Sequence, residues 1–429
     1  MTKYSILSLF KEYGWLCLEL AIIIMAPFTN GTIVFGALLI MMMRMLFSKD
    51  DNTILYDFIF LYSFSTIFVF PGGLGIFDVL IIVYVLYMLF VRSRALIPYL
   101  KPVCILLMIY ISLRSDGVFN RLAPILSGIL LTAFVVPNVT SQMAKKISIL
   151  FCIGCAIMCI YSYFYRFDYH IIHYLGDDTQ EFYFDTLRFG GLFKDPNYFA
   201  SYVLVAISIL LQLFYYKKIN SFLFVSLLCI LIYSGAASIS KSFMISLIFS
   251  GSLFALGLLG SNSKKRGQTF YIAVLFTIFG IFVLPNITSF DLIVSRFESS
   301  SDMDAMTTGR SSLAQIYIEH ILANPDVLFF GNSFSSKLIN NIGTHNLYIE
   351  ITYYVGVIGL FLITVFYSKA FLVIRRKFFN SFPNIIALLP ILSLLFFYTS
   401  LQGLFSPTFS LLLLVSLISI INSSTQIEV

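Results

Sequence analysis

Asn197 to Tyr215 reads NYFASYVLVAISILLQLFY, an unbroken apolar run without one charged side chain. A helix needs about 20 such residues, at roughly 1.5 Å each, to cross the hydrocarbon core of a bilayer. Lipid offers no partner to backbone N–H and C=O groups, so each must bond within its own segment, and a helix does this alone. A membrane barrel would show short alternating strands, and this run does not alternate. On one side it is preceded by Asp195-Pro196, and on the other it is closed by Lys217-Lys218.

The same pattern recurs almost from end to end. Of 429 residues, 59% are hydrophobic and 11% charged. The mean hydropathy is +0.93. A soluble chain carries roughly twice that charge. We read about fourteen apolar runs, among them Tyr13–Pro27, Gly31–Leu46, Thr53–Phe70, Ser221–Ala237, Phe270–Pro285, Ile385–Ser400 and Leu404–Ile421. The run Pro102–Leu113 is the shortest. The expected fold is all-α and integral to the membrane, a polytopic bundle of about 12–14 transmembrane helices with one large periplasmic loop. The first run ends at Ala26-Pro27-Phe28, which lacks a small-x-small cleavage site, so no cleaved signal peptide is expected.

The net charge of +6 does not point to nucleic acid, because Lys and Arg sit in small clusters between apolar runs. With the N-terminus in the cytoplasm, one set of loops holds Arg92, Arg94, Lys101, Lys145, Lys146, Lys217, Lys218, Lys264, Lys265, Arg266, Arg375, Arg376 and Lys377. The opposite loops hold most of the acids, among them Asp168, Asp177, Asp178, Glu181, Asp185, Asp195, Asp302 and Asp304. That is the positive-inside asymmetry. It divides the chain into N-terminal membrane helices (1–165), a first periplasmic loop (166–196), central membrane helices (197–285), a large periplasmic loop (286–346) and C-terminal membrane helices (347–429). Long loops on a membrane scaffold usually carry function. The cytoplasmic loops are short and hold no Walker-type glycine loop, which speaks against ATP-driven chemistry. Chemistry is expected on the outer face.

Metal chemistry finds little support. Cys152-x-x-Cys155 has no His or acid nearby and reads as structural. His170-x-x-His173, with Asp168, lacks a third imidazole or a helical zinc signature. Glu19 and Asp57 stand inside apolar runs, where they mark relays or helix–helix partners.

Four places on the outer loops suggest anion chemistry. The first loop ends Arg188-Phe-Gly-Gly-Leu-Phe-Lys194-Asp195-Pro196-Asn197. Asp195 as N-cap and Pro196 at the first helical position would start the next span. Arg188 and Lys194 then flank a helix N-terminus, and cations there make an anion site. In Ser238-Ile239-Ser240-Lys241-Ser242, Lys241 either snorkels from a turn or contacts phosphate. In Thr308-Gly309-Arg310, Arg310 would open a helix over Ser311–Leu322, with Leu313, Ile316, Ile318 and Ile321 on its apolar face. A cation at that end opposes the helix dipole, which a bound anion relieves. Arg296 is a companion to it in the same loop. The loop closes on Gly331-Asn332 and Thr344-His345-Asn346, with Glu350 one turn further. His345 has the side chain best suited to proton transfer near neutral pH.

In this order, with Gly356-Val-Ile-Gly359 after them, these motifs resemble the O-antigen polymerase and ligase superfamily of bacterial envelope glycosyltransferases. The resemblance runs from Arg188 to Gly359. It implies a metal-independent and cofactor-free glycosyltransferase of the helical membrane type (GT-C-like), in the bacterial inner membrane. Its donor would be a glycan on undecaprenyl diphosphate, taken at the periplasmic face. Carried over by position, Arg188 and Arg310 would bind the diphosphate and His345 would be the base or would orient the acceptor. Lys194, Asp195, Asn197, Lys241, Arg296 and Asn346 would complete substrate binding. Lys241 stands where many relatives have Arg, keeping the charge but losing the bidentate fork. Implied partners are the lipid-linked oligosaccharide, membrane lipids and a chain-length regulator protein, with no nucleic acid.

A polymerase would pass the glycan to another lipid-linked repeat unit, and a ligase to lipid A-core. The Gly190–Asn197 stretch looks more like the polymerases. A polysaccharide flippase is the reading from another class, and it would spread intramembrane charges through both halves.

Overall fold

The computed structural model describes residues 14–22, 51–67, 76–90, 100–165, 189–193, 195–259 and 309–424. Among these, every regular element is helical. Residues 14–22 are helical. Thirteen further α-helices follow: α1 Asp51–Leu61, α2 Ile76–Phe90, α3 Lys101–Arg114, α4 Phe119–Asn138, α5 Ser141–Tyr165, α6 Pro196–Tyr215, α7 Ser221–Ala237, α8 Lys241–Leu259, α9 Arg310–Ala323, α10 Pro325–Phe330, α11 Leu347–Phe378, α12 Ile385–Phe397 and α13 Pro407–Ser419.

Five of them, α4, α5, α6, α8 and α11, are long and apolar enough to cross a membrane. The number is below the sequence reading, for two reasons. The runs Gly31–Leu46 and Phe270–Pro285 lie outside the described residues. Elsewhere an apolar run is not one helix: Thr53–Phe70 passes from α1 into a 3-10 turn at Tyr62–Ile67, and Leu404–Ile421 becomes helical only at Pro407 and ends as the 3-10 turn Ile420–Ser423. Pro102–Leu113 forms α3, whose 14 residues reach only about 21 Å.

The run that opened the sequence reading is the axis of the bundle. In α6, 94% of the apolar window is buried inside the protein, against 28% in α8 and in α11. α5, α7, α8, α12 and α13 all pack on α6. Cys152 and Cys155 belong to this packing, with Cys152 Sγ donating to Ala206 O on α6 at 3.5 Å. At the basic end, Lys377 Nζ donates to Pro137 O (3.0 Å) and Val139 O (2.7 Å), satisfying carbonyls at the end of α4.

α11 is two helices joined at Gly356, where φ 66 and ψ −178 are not helical. That conformation is open almost only to glycine. Gly331 has nearly the same backbone, with φ 76 and ψ 168. The two glycines press backbone against backbone: a Cβ on Gly356 would lie 2.2 Å from Phe329 O, and one on Gly331 would lie 2.4 Å from Val355 N. The break frees carbonyls, and neighbours take them up. Asn332 N donates to Tyr353 O at 2.6 Å. Tyr110 Oη donates to Val355 O at 2.7 Å. The Gly331-Asn332 and Gly356 motifs therefore build a joint rather than a binding loop.

Within the loop assigned to 286–346, Arg310–Ala323 and Pro325–Phe330 are helical, and the stretch from Gly331 to Asn346 is irregular apart from a 3-10 turn at Ile339–Asn341. The predicted apolar stripe on α9 splits: Leu313 and Ile321 are buried with Tyr317, while Ile316 and Ile318 face outward. Apolar side chains occupy more than one side of α9, so it is not amphipathic in the sense expected.

Candidate active site

Four helix starts lie close together at the N-terminal end of α6. Asp195 caps α6, accepting from Asn197 N and from Asn197 Nδ2, both at 2.8 Å. Asn197 Oδ1 in turn accepts from Ser240 Oγ at 2.7 Å. Ser240 caps α8 through Phe243 N at 3.3 Å. The turn that presents Ser240 and Lys241 holds Ile239 at φ +50. A β-branched residue rarely adopts that region, and such strain clusters at working sites.

The third start is α9. Gly309, in the left-handed region at φ 77, turns the chain so that Arg310 is the first residue of the helix. Arg310 Nη1 reaches Ser242 Oγ at 3.3 Å and Ser400 O at 2.7 Å. Ser400 Oγ donates to Ser242 Oγ at 2.7 Å. The guanidinium thus joins the first turn of α8 to the end of α12.

The fourth start is α11. Asn346 caps it, accepting from Tyr348 N (3.0 Å) and Ile349 N (3.1 Å). Its Nδ2 donates to Thr399 O at 2.8 Å. Leu347 N donates to Tyr398 O at 3.1 Å. Glu350 is buried and accepts from Gly403 N (2.6 Å) and Leu404 N (2.8 Å). Its carboxylate holds the backbone between α12 and α13, and Arg121 is within electrostatic reach of it.

His345 sits just before this cap, in the left-handed region at φ 48. Its ring is half-buried, and Nδ1 has no hydrogen-bond partner among the described residues. Burial lowers its pKa below the ordinary histidine value, Arg310 lowers it further, and Asp195 raises it in part. At neutral pH the imidazole is therefore uncharged and able to accept a proton.

His345, Arg310, Asp195, Asn197 and Asn346, far apart in sequence, come together at this place. Lys241, the first residue of α8, lies between Ser240 and Ser242 and shares it. Arg188, Lys194 and Arg296 lie outside the described residues, as do Asp168, His170 and His173. The residue after Arg188 is fixed to this end of the bundle, with Phe189 N donating to Ala237 O at 3.0 Å. The Gly190–Phe193 segment is a turn that seats aromatic rings on α6: Phe189 and Phe199 meet at 5.2 Å, and Phe193 and Tyr202 at 5.0 Å.

Sequence reasoning missed the wall supplied by Tyr398-Thr399-Ser400-Leu401-Gln402. The Thr399 and Ser400 carbonyls hold Asn346 and Arg310, and Gln402 bonds the Tyr198 hydroxyl. The available signal was a polar break between two apolar runs. Backbone acceptors leave no mark on residue type, so the break could not be told from a plain turn.

Physically, each helix start carries the positive end of a dipole, with caps already holding many of its first N–H groups. Four of them beside Arg310 and Lys241 favour a multiply charged anion. A neutral imidazole at its edge adds a proton acceptor. Comparison of the chain with protein-family models, with curated proteins and with solved structures finds no match.

Proposed function

We propose that the chain is a membrane glycosyltransferase that polymerises a surface polysaccharide, such as O-antigen, from undecaprenyl-diphosphate-linked units at the periplasmic face of the bacterial inner membrane. The observation that carries this reading is the meeting of His345, Arg310 and Asp195 where four helix starts converge. It supplies the two things such a transfer needs: a place for diphosphate and a base.

In the proposed step, the acceptor sugar hydroxyl attacks the anomeric carbon of the donor glycan. The bond from that carbon to the diphosphate oxygen breaks with its electron pair. The hydroxyl proton passes to His345. The leaving diphosphate keeps its negative charge among Arg310, Lys241 and the positive ends of the helix dipoles, which are fixed before reaction. Arg188, Lys194 and Arg296 are proposed to join them from the two loops. The donor brings its own activation, in keeping with the lack of a Walker-type loop in the sequence.

Glycan analysis of a deletion strain tests this reading. Core capped with a single unit is the expected result. Lipid-linked polymer that never reaches core would make the protein a ligase instead. Uncapped core, with lipid-linked single units stranded in the cytoplasmic leaflet, would make it a flippase.

A further inference from the structure

About 10 Å below Asp195 along α6, Tyr202 enters the middle of the bundle. It is 0% exposed. Its ring stacks on Phe151 at 5.9 Å, yet its hydroxyl has no hydrogen-bond partner among the described residues. The same is true of Tyr398 Oη and Ser63 Oγ, both fully buried. Ser201 stands beside the Tyr398 phenol, but its proton goes to Tyr198 O at 2.7 Å. Ser63 borders Gly154, next to Cys155 in α5, and Cys155 is within electrostatic reach of Tyr202.

These hydroxyls are not scattered. Tyr202 is also within electrostatic reach of Tyr398 and of Asp78. Tyr398 is within reach of Glu350, and Tyr198 is within reach of both Glu350 and Asp195. Asp78 is buried on α2, accepting from Ser127 Oγ at 3.1 Å and more weakly from Tyr62 Oη at 3.5 Å. A string of polar groups therefore runs from the His345 end of the bundle to a carboxyl in its interior.

A buried hydroxyl left dry and unbonded is costly, and native proteins rarely tolerate one. Several within electrostatic reach of one another, with a carboxyl at either end, offer the kind of partners that internal waters need. An acid inside apolar helices is also rarely present without a polar role.

We propose that Tyr202, Tyr398 and Ser63 line a buried water site inside the bundle, closed by Asp78 at one end and continuous with the Glu350 and His345 region at the other. The ligand is water, and through it the Asp78 carboxyl exchanges protons with the outside of the bundle. This needs no substrate and stands apart from the glycosyl-transfer reading.

Radiolytic hydroxyl labelling of the full chain in nanodiscs tests it, because side chains touching ordered water are oxidised even when buried. Tyr202 and Tyr398 should be labelled several-fold faster than Tyr84, which is equally buried but set among Phe58 and Phe134. Labelling as slow as that of Tyr84, with the exposed Tyr348 labelled normally, overturns the proposal. Tyr202→Phe gives an independent reading. Removing a hydroxyl that water satisfies lowers the Tm, whereas removing a dry, unbonded one leaves it unchanged or raises it, and either of those results also overturns the proposal.

Discussion

Arg310 Nη1 donates to Ser242 Oγ at 3.3 Å across 68 positions of chain, and to Ser400 O at 2.7 Å. One guanidinium thus fixes α8, α9 and the end of α12 relative to one another. On the proposed function, Arg310→Ala lowers polymer formation by about 10²–10³, the usual effect of losing one fixed donor to a developing anion. Arg310→Lys recovers part of it. Full activity of the Ala variant at normal protein level would remove Arg310 from the site.

His345 is proposed as the base. His345→Ala is expected to cost about 10²–10⁴ in rate while the protein still inserts and folds. His345→Gln separates two roles, since an amide can position a hydroxyl but cannot take its proton. A Gln variant with wild-type turnover would leave only positioning.

The pH profile gives a sharper check. Burial and then Arg310 depress the His345 pKa, and Asp195 opposes them. The acid limb of the rate profile should therefore lie below the ordinary histidine value. Arg310→Ala moves that limb to higher pH, and Asp195→Asn moves it lower still. The same shift means that the unfolded chain takes up this proton first, so His345 withdraws stability as pH falls from the ordinary histidine value through its lower folded one. An acid limb that ignores both substitutions would assign it to another group.

Gly356→Ala should be among the most damaging single-methyl changes in the protein. Its φ of 66 excludes most L side chains, and the new Cβ would meet Phe329 O at 2.2 Å. A loss of roughly 3 kcal/mol or more is expected from strain and displaced backbone. Thermal unfolding in detergent measures it. Gly117→Ala, with positive φ but open space around it, should cost less.

The loop assignment rests on charge alone. A single cysteine at Ser301 should react with a membrane-impermeant thiol reagent in intact spheroplasts. Reaction only after membrane disruption would invert the topology and undo the proposed mechanism.

Apolar runs were legible as helices because lipid and helix period leave few choices. Ser221–Ala237 has the predicted bounds, and α6 starts at Pro196 under the Asp195 cap as predicted. Helix length was less legible, since composition does not reveal where a run turns 3-10, as at Tyr62, or breaks, as at Gly356. At the site, the charged and titratable members were legible by type. What holds them was not: the Ser400 and Thr399 carbonyls and the Gly403 and Leu404 amides are backbone groups, invisible to residue identity. The glycine pairs were legible as motifs, but their work is steric.

Four helix starts gathered at one place also have a thermodynamic cost. Like ends of dipoles repel, and Arg310 and Lys241 add to the same sign. Packing along α6 must hold this end together against that repulsion. Any multivalent anion that settles there relieves it, so ligand binding and fold stability are linked. Pyrophosphate alone, lacking lipid and sugar, should therefore raise the Tm of the purified protein, with an effect that fades as salt rises. Arg310→Ala should shrink that response while making the ligand-free protein less self-repelling. Arg310 thus both joins the helices through its hydrogen bonds and adds to the repulsion that an anion relieves.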